Sequence, residues 1–235
     1  MRFTNLYEEL KFSDIFSAAS PEEAEERHVK YADIEAERIL TDVMKTKLPD
    51  GSWHVKDTLI LYDIGLTTLK HLNVSIVDGY FDCDHNKLTN LIGAPKRVSG
   101  TFSCSYNENL ISLEGAPKEI GNAFICTGCK LTSLKFGPIE VDTVYKCNDN
   151  LLTSLEGAPK VVHDIFDCSI NRLTSLVGAP EIVHGAFYGS HNYFQSLEGI
   201  PKKIDGSFYC GFTKGKTFTE DEVRSLCQIG GSVNV

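Results

Sequence analysis

The sequence predicts an α/β repeat solenoid, a fold in which one short unit recurs along the chain. Two observations lead to this fold class: a nearly fixed repeat length, and two short motifs that recur within the repeats. Repeats of this length stack on one another, and each buries its apolar side chains against its neighbours. Adjacent repeats begin 21 or 22 residues apart, at Leu66, Leu88, Leu110, Leu131, Leu152, Leu173 and Phe194.

The first motif is an aromatic residue followed two positions later by a cysteine. It predicts a short strand, because residues two apart in a strand point to the same side. We expect the ring and the thiol to face the core, and the residue between them to face outward from a parallel, concave sheet. The motif occurs at Phe102 and Cys104, Phe124 and Cys126, Tyr145 and Cys147, Phe166 and Cys168, and Phe208 and Cys210.

An asparagine stands three residues after the cysteine position in five repeats. Its side chain is expected to bond to the backbone where the chain turns away from the strand. The five residues are Asn86, Asn107, Asn150, Asn171 and Asn192, whereas Cys129 and Thr213 occupy the position in two other repeats.

The second motif is Gly-Ala-Pro, which predicts a turn on the outer side because proline fixes φ and has no N–H donor. It begins at Gly93, Gly115, Gly157 and Gly178. A second tight turn with positive φ is expected two residues before the aromatic position, because Gly, Asn and Asp tolerate that conformation. The residues there are Gly79, Gly100, Asn122, Asp164, Gly185 and Gly206, with Thr143 as the poor fit.

Across roughly residues 59–214, the L-x-x-L, proline-turn and F-x-C-x-x-N-x-L motifs resemble the leucine-rich-repeat family. The resemblance implies a leucine-rich-repeat solenoid of about seven 21-residue units with a parallel concave β-sheet. The repeat that begins LTSLEGAPK at Leu152 is also similar to short repeat proteins encoded by large tailed bacteriophages. That second resemblance implies a phage protein that acts inside the host cell.

Residues 1–58 are predicted to form a helical N-terminal cap, ahead of the solenoid at 59–214. Apolar residues from Phe3 to Leu10 have the spacing of one helical face. Ser20 as N-cap, followed by Pro21 and by Glu23 at the third helical position, predicts a second helix that runs to about Lys47.

Residues 215–235 are predicted to form a C-terminal helical cap. Thr219 and Glu222 have the spacing of a capping box, and the helix is expected to end before Gly230. Both caps are expected because a terminal repeat lacks a neighbour on one side and has to cover its core.

The composition narrows the function classes. A net charge of −9 argues against nucleic-acid binding, which favours a basic surface. No apolar run approaches the length of a membrane span, and the first residues, Met1-Arg2-Phe3, are not followed by an apolar signal segment. We therefore expect a cytoplasmic protein that does not bind membranes, located in the host cytoplasm if it is phage-encoded.

Six of the eight cysteines recur at one repeat position, at Cys83, Cys104, Cys126, Cys147, Cys168 and Cys210. Small buried thiols are favoured over disulfides there, given the expected reducing compartment. No catalytic or cofactor-binding motif stands out, so we expect a protein that is not an enzyme and needs no cofactor.

One row of residues leaves a metal site open as an alternative. His163 and His184 occupy the same position in neighbouring repeats, with Asp142 and Asp205 in the repeats on either side. Two histidines and two carboxylates are ligands that zinc accepts. The simpler interpretation is a polar row produced by repetition.

The outward positions toward the C-terminal end predict a partner-binding surface. Aromatic residues without a core role are typical of interface hot spots, although they could also shield the last strands. Lys146 and Asp167 on the preceding strands are expected to form its polar rim. The predicted binding residues are Tyr188, Tyr209, Phe212, His191, Ile170, Asp167 and Lys146.

Three functions follow as hypotheses. The first is a non-enzymatic scaffold that binds a host protein of unknown identity and blocks or redirects it, as an inhibitor of host defence would. The second is a metal-dependent enzyme that uses the row of His163 and His184. The third is a structural or adhesion component of the virion.

Overall fold

The computed structural model describes residues 20–235, which form a β-solenoid with two helices. Each repeat makes one turn of the solenoid, and successive turns stack through parallel strands. Strands are numbered in chain order. Nine of them, one from each successive turn, form a single parallel sheet. They are β3 (Leu59–Ile60), β5 (Phe81–Asp82), β7 (Phe102–Ser103), β9 (Phe124–Ile125), β10 (Tyr145–Lys146), β12 (Phe166–Asp167), β14 (Phe187–Tyr188), β16 (Phe208–Tyr209) and β18 (Val233–Asn234).

The nine-stranded sheet extends beyond the recurring motif at both ends. Leu59–Ile60 pairs with the first repeat strand, and Val233–Asn234 pairs with the last one. The stack therefore contains about nine turns, where the sequence motif predicts about seven. The two extra strands lack the aromatic-x-Cys sequence, and only their position in the stack identifies them.

Two shorter sheets form a second side of the solenoid, from the strands that precede the aromatic position. The five-stranded sheet contains β1 (Lys45–Lys47), β2 (Trp53–Val55), β4 (Val74–Val77), β6 (Arg97–Val98) and β8 (Glu119–Ile120). The four-stranded sheet contains β11 (Val161–Val162), β13 (Ile182–Val183), β15 (Lys203–Ile204) and β17 (Gln228–Ile229). The gap between them falls in the turn that carries Phe136, where a bulky side chain takes the place of the repeat glycine at φ 69°.

A continuous stack of aromatic rings runs through the core, as the first motif predicts. Phe81 and Phe102 lie 5.3 Å apart between ring centroids, and Phe166 and Phe187 lie 5.4 Å apart. The repeat cysteines lie beside these rings, and all eight cysteines of the chain are buried free thiols. The Sγ of Cys126 donates to the carbonyl of Lys146 in the next turn at 3.3 Å.

The asparagine row bonds to the backbone as the sequence predicts. Asn171 Nδ2 donates to the carbonyls of Cys168 at 3.1 Å and Cys147 at 3.0 Å. Its Oδ1 accepts from the backbone N–H of Leu152 at 2.9 Å. One buried side chain thereby joins two successive turns. Cys129 replaces part of this bonding by donating from Sγ to the carbonyl of Cys104 at 3.4 Å.

The prediction of positive φ two residues before the aromatic position is wrong. The glycine of each Gly-Ala-Pro turn has positive φ, such as Gly157 at 102°, whereas Gly79, Gly100, Gly185 and Gly206 do not. The four glycines at this position instead let the backbones of successive repeats approach closely, whereas three other repeats have Asn122, Thr143 and Asp164 there. A Cβ added to Gly100 would lie 2.6 Å from the carbonyl oxygen of Gly79.

Helix α1 (Pro21–Asp42) begins where the sequence predicts, with the Ser20 side chain accepting from the backbone N–H of Glu23 at 3.2 Å. The predicted end near Lys47 is wrong. The helix ends at Asp42, because Lys45–Lys47 pairs antiparallel with Trp53–Val55 across the turn at Pro49 to Gly51. Ala32, Ala36 and Leu40 of α1 are buried in the core cluster. The predicted helix from Phe3 to Leu10 lies outside the described residues.

Helix α2 (Glu220–Leu226) starts with the predicted capping box. Thr219 Oγ1 accepts from the N–H of Glu222 at 3.2 Å, and the Glu222 carboxylate accepts from the N–H of Thr219 at 2.8 Å. The helix ends before Gly230, as predicted. Val223 and Cys227 are buried, and the chain then forms the last strand of the four-stranded sheet and, after it, the last strand of the nine-stranded sheet.

Candidate binding surface

The outward side of the nine-stranded sheet carries two stacked tyrosines at its C-terminal end. Tyr188 and Tyr209 occupy paired positions on adjacent strands, and each follows a buried phenylalanine. Their ring centroids lie 4.8 Å apart with an interplanar angle of 6°. Because core phenylalanines fix the strand orientation, both phenol rings are directed away from the core and both side chains are half-buried.

Asp167 and Lys146 lie on the two preceding strands, in register with Tyr188. Both are half-buried. The Asp167 carboxylate accepts from the backbone N–H of Ser169 at 3.0 Å and from its hydroxyl at 2.5 Å, so this side chain stabilises its own turn. Lys146 forms no ion pair with any residue that the structure describes.

A second row of side chains lies just beyond the strands, at the corner where each turn leaves the sheet. We call it the corner row. Every residue in it has positive φ, between 50° and 67°, although only one of them is glycine. The row consists of Asp63, His85, Tyr106, Gly128, Asp149, Ile170, His191 and Phe212.

Large side chains in the corner row are held in an unfavourable backbone conformation. Left-handed backbone costs an ordinary residue about 1–2 kcal/mol, and a β-branched residue such as Ile170, at φ 54°, is a marked exception. Phe212, at φ 56°, is 80% exposed. Neither side chain recovers this cost by full burial, and residues in such conformations cluster at functional sites.

Rings in the corner row stack on those of neighbouring turns. His191 and Phe212 lie 5.4 Å apart between ring centroids with an interplanar angle of 7°. His85 and Tyr106 form a similar pair at 4.7 Å near the other end of the row. Tyr188 contacts Tyr209, and His191 contacts Phe212. Among the residues that the structure describes, no ring contact joins the two tyrosines to the other two rings.

A groove of about 370 Å³ lies against the C-terminal end of the corner row. One set of lining side chains belongs to the corner row itself: Asp149, Ile170, His191 and Phe212. The other set comes from the position two residues further along each turn, which we call the flank row: Arg172, Tyr193 and Lys214.

The flank row was not identified from the sequence. Arg172, Tyr193 and Lys214 are exposed, and Lys214 Nζ lies 5.6 Å from the centroid of the Tyr193 ring. The sequence does contain a pattern that could have identified this row: a basic or aromatic residue directly follows the asparagine position in three successive repeats. Asn171 and Asn192 fix the backbone there, so the residues that follow them stack in the same way.

The N-terminal end of the same sheet face has a different chemistry. Ser103 is buried and donates to the Asp84 carboxylate at 2.6 Å, and the backbone N–H of Ser105 donates to the same oxygen at 2.6 Å. Burial raises the pKa of Asp84, and the neighbouring Asp82 carboxylate adds to this effect. Because these polar groups bond to one another, the aromatic C-terminal end is the better candidate for contact with a partner.

The histidine row forms stacked and ion-paired contacts. His163 and His184 stack at 5.4 Å, and His184 Nδ1 lies 2.7 Å from the Asp205 carboxylate. Lys203 lies 2.7 Å from the other carboxylate oxygen, and its hydrogen bond, followed by that of His184, lowers the pKa of Asp205. Within residues 20–235, no three His, Cys, Asp or Glu side chains are grouped so as to hold a metal ion.

None of the helices described in the structure combines the length and the apolar character that a membrane-spanning helix needs. Comparisons with models of protein families, with curated proteins and with solved structures found no match for the chain.

Proposed function

We propose that this chain is a leucine-rich-repeat protein without enzymatic activity that binds another protein through the C-terminal end of its nine-stranded sheet. The observation that carries the proposal is the set of exposed or half-buried rings at that end, formed by Tyr188, Tyr209, His191 and Phe212. Rigid aromatic side chains with little conformational freedom are the groups that interfaces use as hot spots.

The type of repeat supports the leucine-rich-repeat assignment. The L-x-x-L segments supply buried leucines such as Leu152 and Leu155, and the asparagine row links successive turns. Short parallel strands, one from each turn, make a long regular surface whose outward residues vary while the core residues repeat. Such surfaces suit protein recognition, because each turn can present a different side chain.

The strained corner row supports a binding role for these particular rings. Asp63, Gly128 and Asp149 show that residue types suited to positive φ are accepted at this position. Ile170 and Phe212 occupy the same position at a conformational cost and remain largely exposed. A contact with a partner would give these side chains the burial that the isolated chain does not.

The proposed partner is a host protein. This part of the proposal rests on the similarity of the repeat at Leu152 to short repeat proteins of large tailed bacteriophages. A compact phage binder in the host cytoplasm would block or redirect an antiviral protein.

Affinity capture from a bacterial host lysate tests the proposal, with the full chain as bait. We expect one host protein to be retained in stoichiometric amount by the native chain. The double variant Tyr188→Ala with Tyr209→Ala is expected to bind it about thirtyfold more weakly, since hot-spot truncations cost about 2 kcal/mol or more. Circular dichroism and thermal unfolding would establish that the variant folds.

Asp142→Ala is the control, because this residue is exposed and lies on the outer turn rather than on the ring-bearing side. It should retain the partner with unchanged affinity. The proposal is wrong if a folded double variant retains the partner as well as the native chain does. It is also wrong if only changes in the N-terminal 1–58 region abolish capture.

A further inference from the structure

We propose that the groove between the corner row and the flank row binds an extended acidic segment of the partner protein. The segment would place two carboxylates on Arg172 and Lys214 and an apolar or aromatic side chain against Ile170, His191 and Phe212. This inference rests on the proposed function and adds the chemical character of the partner.

The groove contains two cations that lack carboxylate partners within residues 20–235. Arg172 and Lys214 are exposed, and neither forms an ion pair with any of the residues in the described part of the chain. Among the described residues, exposed lysines such as Lys70 and Lys135 also lack a carboxylate partner, whereas seven cations have one: Arg38, Lys87, Lys160, Lys202, Lys203, Lys216 and Arg224. Two unpaired cations in one groove therefore offer a site for carboxylates from outside the chain.

The spacing of the two cations matches that of side chains on an extended peptide. Arg172 and Lys214 stand two turns apart, and turns joined by parallel strands repeat at about 4.8 Å, so their backbones are about 10 Å apart. In a peptide with polyproline II conformation, residues three apart lie on the same side at about 9 Å. Two acidic residues separated by two others therefore match the groove.

Aromatic rings of the corner row form an apolar wall on one side of the groove. Phe212 stacks on His191 in the isolated chain, so the apolar wall is already formed before any partner arrives. A preformed wall reduces the entropy that binding has to overcome. Tyr193, under the Lys214 ammonium group, gives the opposite wall a second exposed ring. An aromatic or apolar side chain between the two acidic residues would contact these surfaces.

A peptide fits the groove better than a single-stranded nucleic acid, although both could use rings and cations. The Asp149 carboxylate lines the groove, and the whole chain has a net charge of −9. A continuous row of phosphates would meet this repulsion along its length. A peptide can place its carboxylates at the two cations and leave neutral residues near Asp149.

Selection from a random peptide library displayed on phage tests this inference, with the immobilised full chain as the target. The double variant Arg172→Glu with Lys214→Glu is screened in parallel. Lys70→Glu with Lys135→Glu is the matched control, since it makes the same change in charge at exposed lysines outside the groove. Unfolding curves establish that all three proteins are folded. An oligothymidylate is the nucleic-acid probe.

We expect the native chain and the control to enrich peptides with two acidic residues three apart and an apolar or aromatic residue between them. The groove variant should bind the enriched peptides at least about tenfold more weakly, a difference of about 1.4 kcal/mol. Added salt should weaken binding to the native chain, because exposed charges are screened.

The inference is overturned if no peptide is enriched, if the enriched peptides lack acidic residues, or if they bind the groove variant as well as the control. Tighter binding of oligothymidylate than of the best peptide overturns it as well. Partner capture separates the two proposals. If the tyrosine variant loses the partner but the groove variant retains it, the proposed function stands and this inference fails.

Discussion

The hydroxyl group of Tyr145 lies over Gly137, so that a Cβ added to this glycine would be 3.1 Å from the hydroxyl oxygen. Other repeats combine phenylalanine at the ring position with alanine at the glycine position, as in Phe166 with Ala158. The repeat that has the additional hydroxyl oxygen of Tyr145 therefore lacks the alanine methyl group, because Gly137 takes the alanine position. Among the described residues, the Tyr145 hydroxyl is the one buried side-chain N or O atom without a hydrogen-bond partner.

Replacing Tyr145 with phenylalanine should stabilise the protein. The change removes a buried hydroxyl that costs about 1–3 kcal/mol when it is unsatisfied, and it keeps the ring in the aromatic stack. We expect a gain of about 1 kcal/mol in the free energy of unfolding, measured with urea. Gly137→Ala alone should destabilise, because the new methyl group would crowd the hydroxyl and Leu113.

The double variant Tyr145→Phe with Gly137→Ala is the decisive member of this set. It recreates the pairing found in neighbouring repeats, so it should be more stable than the sum of the two single changes indicates. Purely additive effects would contradict the steric relationship between the two residues. A loss of stability in Tyr145→Phe alone would mean that the hydroxyl has a partner, such as a buried water.

Phe166→Ala should be among the most destabilising single changes in the chain. The ring is fully buried between Tyr145 and Phe187, and its removal leaves a cavity in the middle of the aromatic stack. Losing such a ring costs about 3–5 kcal/mol. Phe212→Ala is the matched control, because this ring is 80% exposed and its loss should change stability by no more than about 0.5 kcal/mol. Equal effects of the two changes would show that the core register is wrong.

Buried thiols should make the protein lose stability in alkaline solution. Burial raises the pKa of all eight cysteines, to about 11 for Cys227, to about 12 for Cys129 and Cys210, and well above the ordinary range for the other five. The unfolded chain releases these protons near the ordinary thiol pKa of about 8.5, whereas the folded chain retains them. The stabilisation is therefore fully present below about pH 8.5 and is lost as the pH rises toward the folded-state pKa values.

The size of the effect is about 1.4 kcal/mol per pH unit for each thiol in that window. Urea unfolding at about pH 8 and about pH 9, under reducing conditions, measures it. Cys147→Ala removes one titrating group and should reduce the slope by that amount. Equal stability at the two pH values would contradict the deep burial of the cysteine row.

The sequence was sufficient to predict the regular parts of the fold, because in a repeat each position has one environment. The ring at Phe166, the amide at Asn171 and the turn at Gly157 recur with constant spacing, and the structure places each of them as its row predicts. The reason for each recurring glycine of the repeat could not be predicted from the sequence. Positive φ at Gly157 and close approach at Gly100 both favour glycine, and the sequence does not distinguish these two reasons.

The candidate surface could be predicted only in part. Tyr188 and Tyr209 follow from strand alternation, which fixes their side once the core phenylalanines are known. The conformation of Ile170 could not be predicted, because its residue type disfavours positive φ. Arg172 and Lys214 were missed because the groove forms only when successive repeats stack and bring these two side chains to the same surface. The break near Phe136 likewise has no counterpart in the repeat motif.

Ile170→Gly should stabilise the isolated chain while weakening its proposed contact with the partner. Glycine adopts φ 54° without steric cost, whereas isoleucine pays about 1–2 kcal/mol there, and the side chain is 48% exposed. The greater entropy that glycine loses on folding, about 0.5–1 kcal/mol, offsets part of this gain. We expect a net increase of about 0.5–1 kcal/mol in the free energy of unfolding by urea titration.

Gly128→Ala is the opposite change in the same row. It places a Cβ at φ 67° and within 2.6 Å of the Tyr106 ring, so it should destabilise the chain. If the corner row is kept for binding, Ile170→Gly should also weaken capture of the partner even though the variant is more stable. A variant that is less stable by more than about 1 kcal/mol would show that the Ile170 side chain contributes to packing and that its strain needs no partner to explain it.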